Sequence, residues 1–305
     1  MRVAVIDLGT NTFKLLVAEQ EGGGMRILHS AETPVFLGKG GIEAGTIAHD
    51  AFERGIQALA AYVATARVLG VERIAGFGTS ALRNARNAQQ FVDRAHAEHG
   101  IAITIVPGEE EAGLILDGVR QAVTFTARPM LVMDIGGGSI EFILATDKAL
   151  MWKRSFELGV TRLLERFAPN DPLTEPDEAR IAQHLDDRLG PLWAVLEAHE
   201  PAALVGSAGS FDTLAHMVAA TRGAALGHDA RTLDMSAVEF AQRKDDLMVL
   251  PRDQRSRVPG LPAHRVDTIP LALIAIDRVL TAGIERLVWS AYALKEGAAA
   301  RLLRP

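Results

Sequence analysis

Two short stretches of this sequence carry residue types that bind phosphate: DLGTNTFK, from Asp7 to Lys14, and DIGGGSIE, from Asp134 to Glu141. In each, an apolar run delivers an aspartate, and the small residues after it expose consecutive backbone N–H groups that suit phosphate oxygens. The candidate phosphate-binding residues are Gly9, Thr10, Asn11 and Thr12 in the first loop and Gly136, Gly137, Gly138 and Ser139 in the second. The hydroxyls of Thr10, Thr12 and Ser139 add side-chain donors. Asp7 and Asp134 only accept hydrogen bonds, so a cation or a water must stand between them and a phosphate, which makes both candidate metal ligands. One glycine turn after a strand is usually just a hairpin. Two, each with an aspartate at the same place, are hard to explain that way.

Further charges fall at places where they could act on a phosphate. Glu109, Glu110 and Glu111 follow a proline-glycine stop at the start of a helix. Three carboxylates there suit the helix dipole, and the bland reading is a solvated acidic first turn. The functional reading turns one of them inward, as general base for a water or as a metal ligand. Glu141 reads equally as a strand-face charge and as a further ligand for metal or water. Arg83, after the Gly78-Thr79-Ser80 turn, could offset charge on a transferring phosphoryl group, with Arg86 three residues on; surface arginines are common, and that plainer reading stands beside it. Arg252, Arg255 and Arg257 read first as a solvated loop and only second as a track for a polyanion. His96 and His99 are three apart on a helix with no third ligand in reach, an exposed polar face.

The elements that must position these residues follow from periodicity. Apolar runs at Arg2 to Ile6 and at Phe13 to Val17 read as strand, tight turn, strand, and the same grammar returns from Met130 to Leu144. Asp7 falls on Asp134, Gly9 on Gly136, Thr12 on Ser139, Phe13 on Ile140 and Ala18 on Ala145, all at one offset of 127 residues. Duplication of a whole lobe accounts for this. Between the repeats, strands and helices alternate as in an α/β lobe: helix Ala51 to Leu69 with Asp50 as its N-cap, strand Arg73 to Phe77, helix Asn87 to His99, strand Ile101 to Val106. The second half shows strand Ala202 to Val205, a proline-rich loop from Pro251 to His264, helix Ile269 to Leu280, strand Ile284 to Trp289, and a helix from Leu294. Residues Thr124 to Pro129 are the expected hinge, which divides the chain into domains of 1–126 and 127–305, with the final helix able to pack back on the first.

The totals bound the chemistry. A chain of 305 residues favours two lobes, and 48% apolar with 23% charged residues is the balance of a globular protein. A net charge of −6 argues against nucleic-acid binding, so any phosphate site draws on local amides, arginines and metal. No run approaches the roughly 20 apolar residues of a membrane span, and the opening MRVAVID enters a strand pattern directly, so a cytoplasmic protein without membrane partners is expected. With no cysteine, a catalytic metal must take oxygen or imidazole ligands, which points to magnesium, with manganese as substitute. A homodimer is compatible with the sequence.

Six segments together resemble the exopolyphosphatase and guanosine pentaphosphatase family: IDLGTNTFKLLV, GTSALRNARN, IVPGEEEAGLILDGV, MDIGGGSIEFIL, SFELGVTRLLERF and VGSAGSFDTL. They span nearly the whole chain in the family's order. The resemblance implies two duplicated ribonuclease-H-like domains of the actin-like ATPase superfamily with a cleft between them. It implies that Glu111 is the general base, that Arg83 contacts terminal phosphates, and that Asp134 and Glu141 attend magnesium and the catalytic water. The glycine run maps onto Gly136 to Gly138 with Ser139, and the first phosphate loop onto Asp7 and Gly9 to Thr12. Departures are Gly113, Ile140 and Phe36, where the family often has arginine, threonine and arginine. Longer members carry extra helical domains, so the short, two-lobe form is the one matched here.

The expected reaction is therefore hydrolysis of the terminal phosphoanhydride of inorganic polyphosphate, with short chains favoured. Guanosine pentaphosphate is the alternative substrate, and an actin-like nucleotide-binding protein with little turnover is the alternative of another class. The two loops are not equivalent: the first, ending in Lys14, reads as a phosphate cradle, and the second, with Glu141 at the matching place, as the metal and water side.

Overall fold

The computed structural model describes residues 1–227 and 229–304, which form two compact units, Met1–Gly118 with Ala293–Pro305, and Val119–Tyr292. The expected hinge at Thr124 to Pro129 thus lies inside the second unit, and the last helix belongs with the first.

The first unit is built on one sheet. Strand β1 (Arg2–Leu8) turns through Gly9 into β2 (Thr12–Glu21) and then β3 (Gly24–Pro34), all antiparallel; β4 (Arg73–Gly78) and β5 (Ala102–Ile105) add in parallel, for the order β3-β2-β1-β4-β5. Val3 to Ile6 are wholly buried, as a central strand covered on both faces requires. Helices α1 (His49–Val68) and α3 (Ala88–His99) share a core with Ala4, Ile6 and Leu8 through Leu59, Tyr62 and Phe91. Between β4 and α3 lies the short α2 (Ser80–Asn84), and α4 (Gly108–Val119) follows β5. The N-cap of α1 is Ala48, not Asp50, which lies in the first turn and pairs with Arg54.

The second unit repeats the plan. Strands β6 (Met130–Ile135), β7 (Ile140–Ala145) and β8 (Leu150–Phe156) are antiparallel, and β9 (Leu204–Ser207) runs parallel to β6. Antiparallel β10 (Thr232–Ser236) and parallel β11 (Arg286–Ser290) complete the order β10-β11-β9-β6-β7-β8. Without its edge strand β10, this is the arrangement of the first sheet, so both units have the ribonuclease-H-like topology. Around the second sheet lie α5 (Val160–Phe167), α6 (Glu175–Arg188), α7 (Gly190–His199), α8 (Ala208–Thr221), α9 (Ala237–Met248), α10 (Arg252–Arg255) and α11 (Ile269–Leu280).

The chain ends in α12 (Leu294–Leu303), which packs on β1 and β2. Its crossing with α4 is set by two glycines. A Cβ at Gly297 would stand 1.9 Å from the Leu114 carbonyl oxygen, and one at Gly118 would stand 1.9 Å from that of Ala293. Arg301 closes the contact on Asp117 at 2.6 Å. No helix among the described residues is long and apolar enough to cross a membrane.

Candidate active site

In the first unit the candidate residues lie where parallel strands end. Leu8, Gly78 and Ile105 are in register across β1, β4 and β5, so the chain leaves the sheet at one level into the Gly9 loop, α2 and α4. Strand ends of this kind are where open α/β sheets place ligands. From α2, Arg83 donates through Nη1 to the Val106 carbonyl at 3.1 Å and to Glu111 Oε2, on α4, at 2.7 Å. Glu111 is only 6% exposed, while Glu109 and Glu110 face solvent. The acidic triplet is thus split, with one carboxylate turned in against a guanidinium. Arg86 is exposed and is not brought to this pair.

The two loops have the same wiring. The Gly9 N–H donates to the Thr12 carbonyl at 3.2 Å, and the Gly136 N–H to that of Ser139 at 3.0 Å. Carbonyls of Thr10 and Asn11 accept from Gly38 and Phe36; those of Gly137 and Gly138 accept from Thr161 and Gly159. In a trans peptide the carbonyl and the following N–H point opposite ways. Because the segment after the third strand of each unit holds these carbonyls, the N–H groups of Asn11 and Thr12, and of Gly138 and Ser139, are turned away from it. In the second unit Val160 also takes the Gly136 carbonyl at 3.1 Å. The first amides of α5 are therefore occupied by the loop, and the loop amides are the ones aimed outward. Gly159 permits this approach: a Cβ there would lie 2.4 Å from backbone atoms of Gly137 and Gly138.

The aspartates differ in company. Asp7 is in register with Lys14, which pairs with Glu32 at 3.8 Å, so the row Asp7, Lys14, Glu32 holds charges of both signs. Asp134 is in register with Glu141, and both are buried, at 7% and 1% exposure. Two acidic side chains side by side in a sheet repel each other unless a cation or donors intervene. Donors are present: Ser207 Oγ donates to Asp134 Oδ2 and Ser155 Oγ to Glu141 Oε1, each at 2.6 Å. The donor set suits magnesium, which takes one or two carboxylates and completes its shell with water and phosphate. No three carboxylate or imidazole residues converge to hold a metal among the described residues, and of the two helix histidines His96 is exposed whereas His99 has its Nε2 buried.

The sequence matches the model of the Ppx/GppA phosphatase family over residues 16–304. The chain belongs to the Ppx/GppA phosphatase family. It is 29% identical to Exopolyphosphatase 1 of Mycobacterium tuberculosis over 310 residues, covering 99% of this chain and 88% of that protein. Among solved structures, an exopolyphosphatase from Cytophaga hutchinsonii superposes with a TM-score of 0.97 at 34% identity, covering 99% of this chain and 98% of the other. The Aquifex aeolicus Ppx/GppA family member gives 0.82 at 25% identity, over 99% and 98%. Like its family, this chain is a phosphatase, a hydrolase built on two ribonuclease-H-like units.

Three residues around these elements were not singled out from the sequence, although Ser155 and Ser207 lie inside two of the segments that carry the family resemblance. Ser155 and Ser207 are common residues whose partners appear only through cross-strand register. Arg265 lies with its guanidinium over Gly209, at the start of α8, where a Cβ would meet it at 1.7 Å. The loop arginines sort themselves: Arg255 is buried and holds the Val266 and Leu250 carbonyls and Asp171, and Arg252 pairs with Asp267. Those contacts tie the segment to its own unit.

Proposed function

We propose that this Ppx/GppA protein is an exopolyphosphatase that hydrolyses the terminal phosphoanhydride of inorganic polyphosphate and releases orthophosphate. The observation that carries the reading is the buried Glu111 carboxylate, held by Arg83 beside strand ends that also bear a glycine loop. Names of relatives point the same way, since the M. tuberculosis and C. hutchinsonii proteins are called exopolyphosphatases.

In this mechanism Glu111 orients a water and takes its proton as the water oxygen bonds to the terminal phosphorus. The bridging P–O bond breaks and the shortened chain leaves with the bonding pair. A carboxylate acts as base only while ionised, and the guanidinium at 2.7 Å is a partner of that form. The outward amides of residues 11–12 and those of residues 137–139 each suit phosphate oxygens, and Arg83 offsets charge on the phosphoryl group. Asp134 and Glu141 would hold magnesium, which when bound neutralises phosphate charge. Phosphoryl transfer depends mostly on positioning and electrostatics, so no covalent nucleophile is required.

Phosphate release with magnesium, measured in parallel on polyphosphates of several lengths, guanosine pentaphosphate and ATP, tests the assignment. Polyphosphate is the expected preferred substrate, short chains included. Preference for guanosine pentaphosphate would move the chain to the other terminal-anhydride substrate, and turnover of ATP alone would overturn the assignment.

A further inference from the structure

The polar row of the second unit extends beyond the two carboxylates. Ser155 on β8, Glu141 on β7, Asp134 on β6 and Ser207 on β9 are consecutive register partners, so four polar side chains stand abreast on one face of the sheet. Ser207 is fully buried, and each hydroxyl bond is short, at 2.6 Å. The matching row of the first unit, Glu32, Lys14, Asp7 and Phe77, has no serine and is balanced by a lysine instead. Where the duplicated unit exchanges that lysine for Glu141, a hydroxyl flanks the carboxylate pair on either side.

We propose that Ser155 and Ser207 are positioning residues for the Asp134–Glu141 pair and tune its affinity for a divalent cation. The inference rests on the reading of that pair as the cation site. A hydrogen bond to one carboxylate oxygen fixes the terminal torsion of the side chain, and hence the direction of its other oxygen. It also draws part of the negative charge of two adjacent carboxylates, which lowers the cost of holding both ionised before the cation arrives. The backbone sets Ser207 firmly, because the next residue, Ala208, adopts the left-handed region at φ 63°, a conformation that costs a non-glycine residue energy and persists only where its surroundings hold it. Serine is short enough to reach a register neighbour without crossing it. Loss of either hydroxyl therefore removes one hydrogen bond that orients a carboxylate while leaving both ligands in place.

The test is Mn2+ binding to the full chain without substrate, followed by electron paramagnetic resonance, for wild type, Ser155→Ala, Ser155→Thr, Ser207→Ala and Asp134→Asn. Loss of an outer-shell hydrogen bond is expected to weaken Mn2+ about 10- to 100-fold in each alanine variant. Ser155→Thr, which keeps the hydroxyl on a partly exposed edge strand, should restore affinity to near wild type. Melting temperature without metal serves as the folding control. If wild type binds and Asp134→Asn does not, but both alanine variants bind like wild type, the positioning role is overturned and the cation site stands. If Ser155→Thr is as weak as Ser155→Ala with an unchanged melting temperature, the role of the Ser155 hydroxyl is likewise overturned. If wild type itself binds no Mn2+, the cation site and this inference fall together.

Discussion

A single guanidinium nitrogen of Arg83 ties the proposed base to the backbone. Arg83 Nη1 reaches both the Val106 carbonyl and Glu111, so the arginine fixes the carboxylate against the backbone at the end of β5. Arg83→Ala is expected to lower turnover about 100- to 1,000-fold, the effect of removing one preorganised charge donor. It should also lower the melting temperature, because a buried carboxylate loses its guanidinium. Adding Glu111→Gln to Arg83→Ala should return most of that loss, since residues in direct contact are not additive. A double-mutant cycle of melting temperatures reads this, and additive losses would break the link. Little of this detail was legible beforehand. Type and position singled out Arg83 and the Glu109–Glu111 triplet, and only the family resemblance picked Glu111, while burial of Glu111 and exposure of Glu109 and Glu110 depend on how α4 meets the sheet.

Elements were most legible where their pattern was long and periodic, as in α1, α3 and α11, and where duplication doubled the signal, as in β1-β2 and β6-β7. Strands β3, β8 and β10 and helices α5, α6, α7 and α9 were not read, because edge strands and half-buried helices carry weak patterns and rely on tertiary contacts. The start of α6 shows what local chemistry supplies instead. Asp177 accepts from the side chain and backbone of Asn170 and of Thr174 and pairs with Arg180, and these hydrogen bonds, Asn170 and Thr174 foremost, hold its carboxyl well below the usual carboxylate range. A carboxyl depressed in the folded state stabilises it fully above the unfolded value, about 4, and loses that contribution as pH falls below it. Denaturation from pH 7 to pH 3 should therefore show wild type more stable than Asp177→Asn at neutral pH, with the gap narrowing below about pH 4. A gap that stays constant would contradict this. The glycine loop makes a second prediction. Gly159→Ala pushes a Cβ into Gly137 and Gly138, and is expected to cost about 1–3 kcal/mol of stability and to lower phosphate release as the loop amides shift. Wild-type activity and melting temperature would show that the close approach does not hold the loop.

At the scale of the whole molecule, duplication is the organising fact. The same order of five strands, the same turn hydrogen bonds and a backing segment occur twice, and in the row of the loop aspartates Lys14 stands in one copy and Glu141 in the other. That exchange divides an ion-paired row from a pair of carboxylates, and the division of labour proposed for the two loops follows from it. The repeat was visible in the sequence because both loops kept one offset of 127 residues. The chain leaves the first unit at Gly118 and returns to it through α12, whose seat is the Gly118 and Gly297 crossing. Glu111 is the proposed base of a terminal phosphoanhydride hydrolase. Single-turnover phosphate release from polyphosphate with magnesium, measured beside equilibrium binding of the same polymer, tests it in Glu111→Gln. The expected result is release slowed about 100- to 10,000-fold with binding within about twofold of wild type. Release at the wild-type rate would contradict the assignment of Glu111.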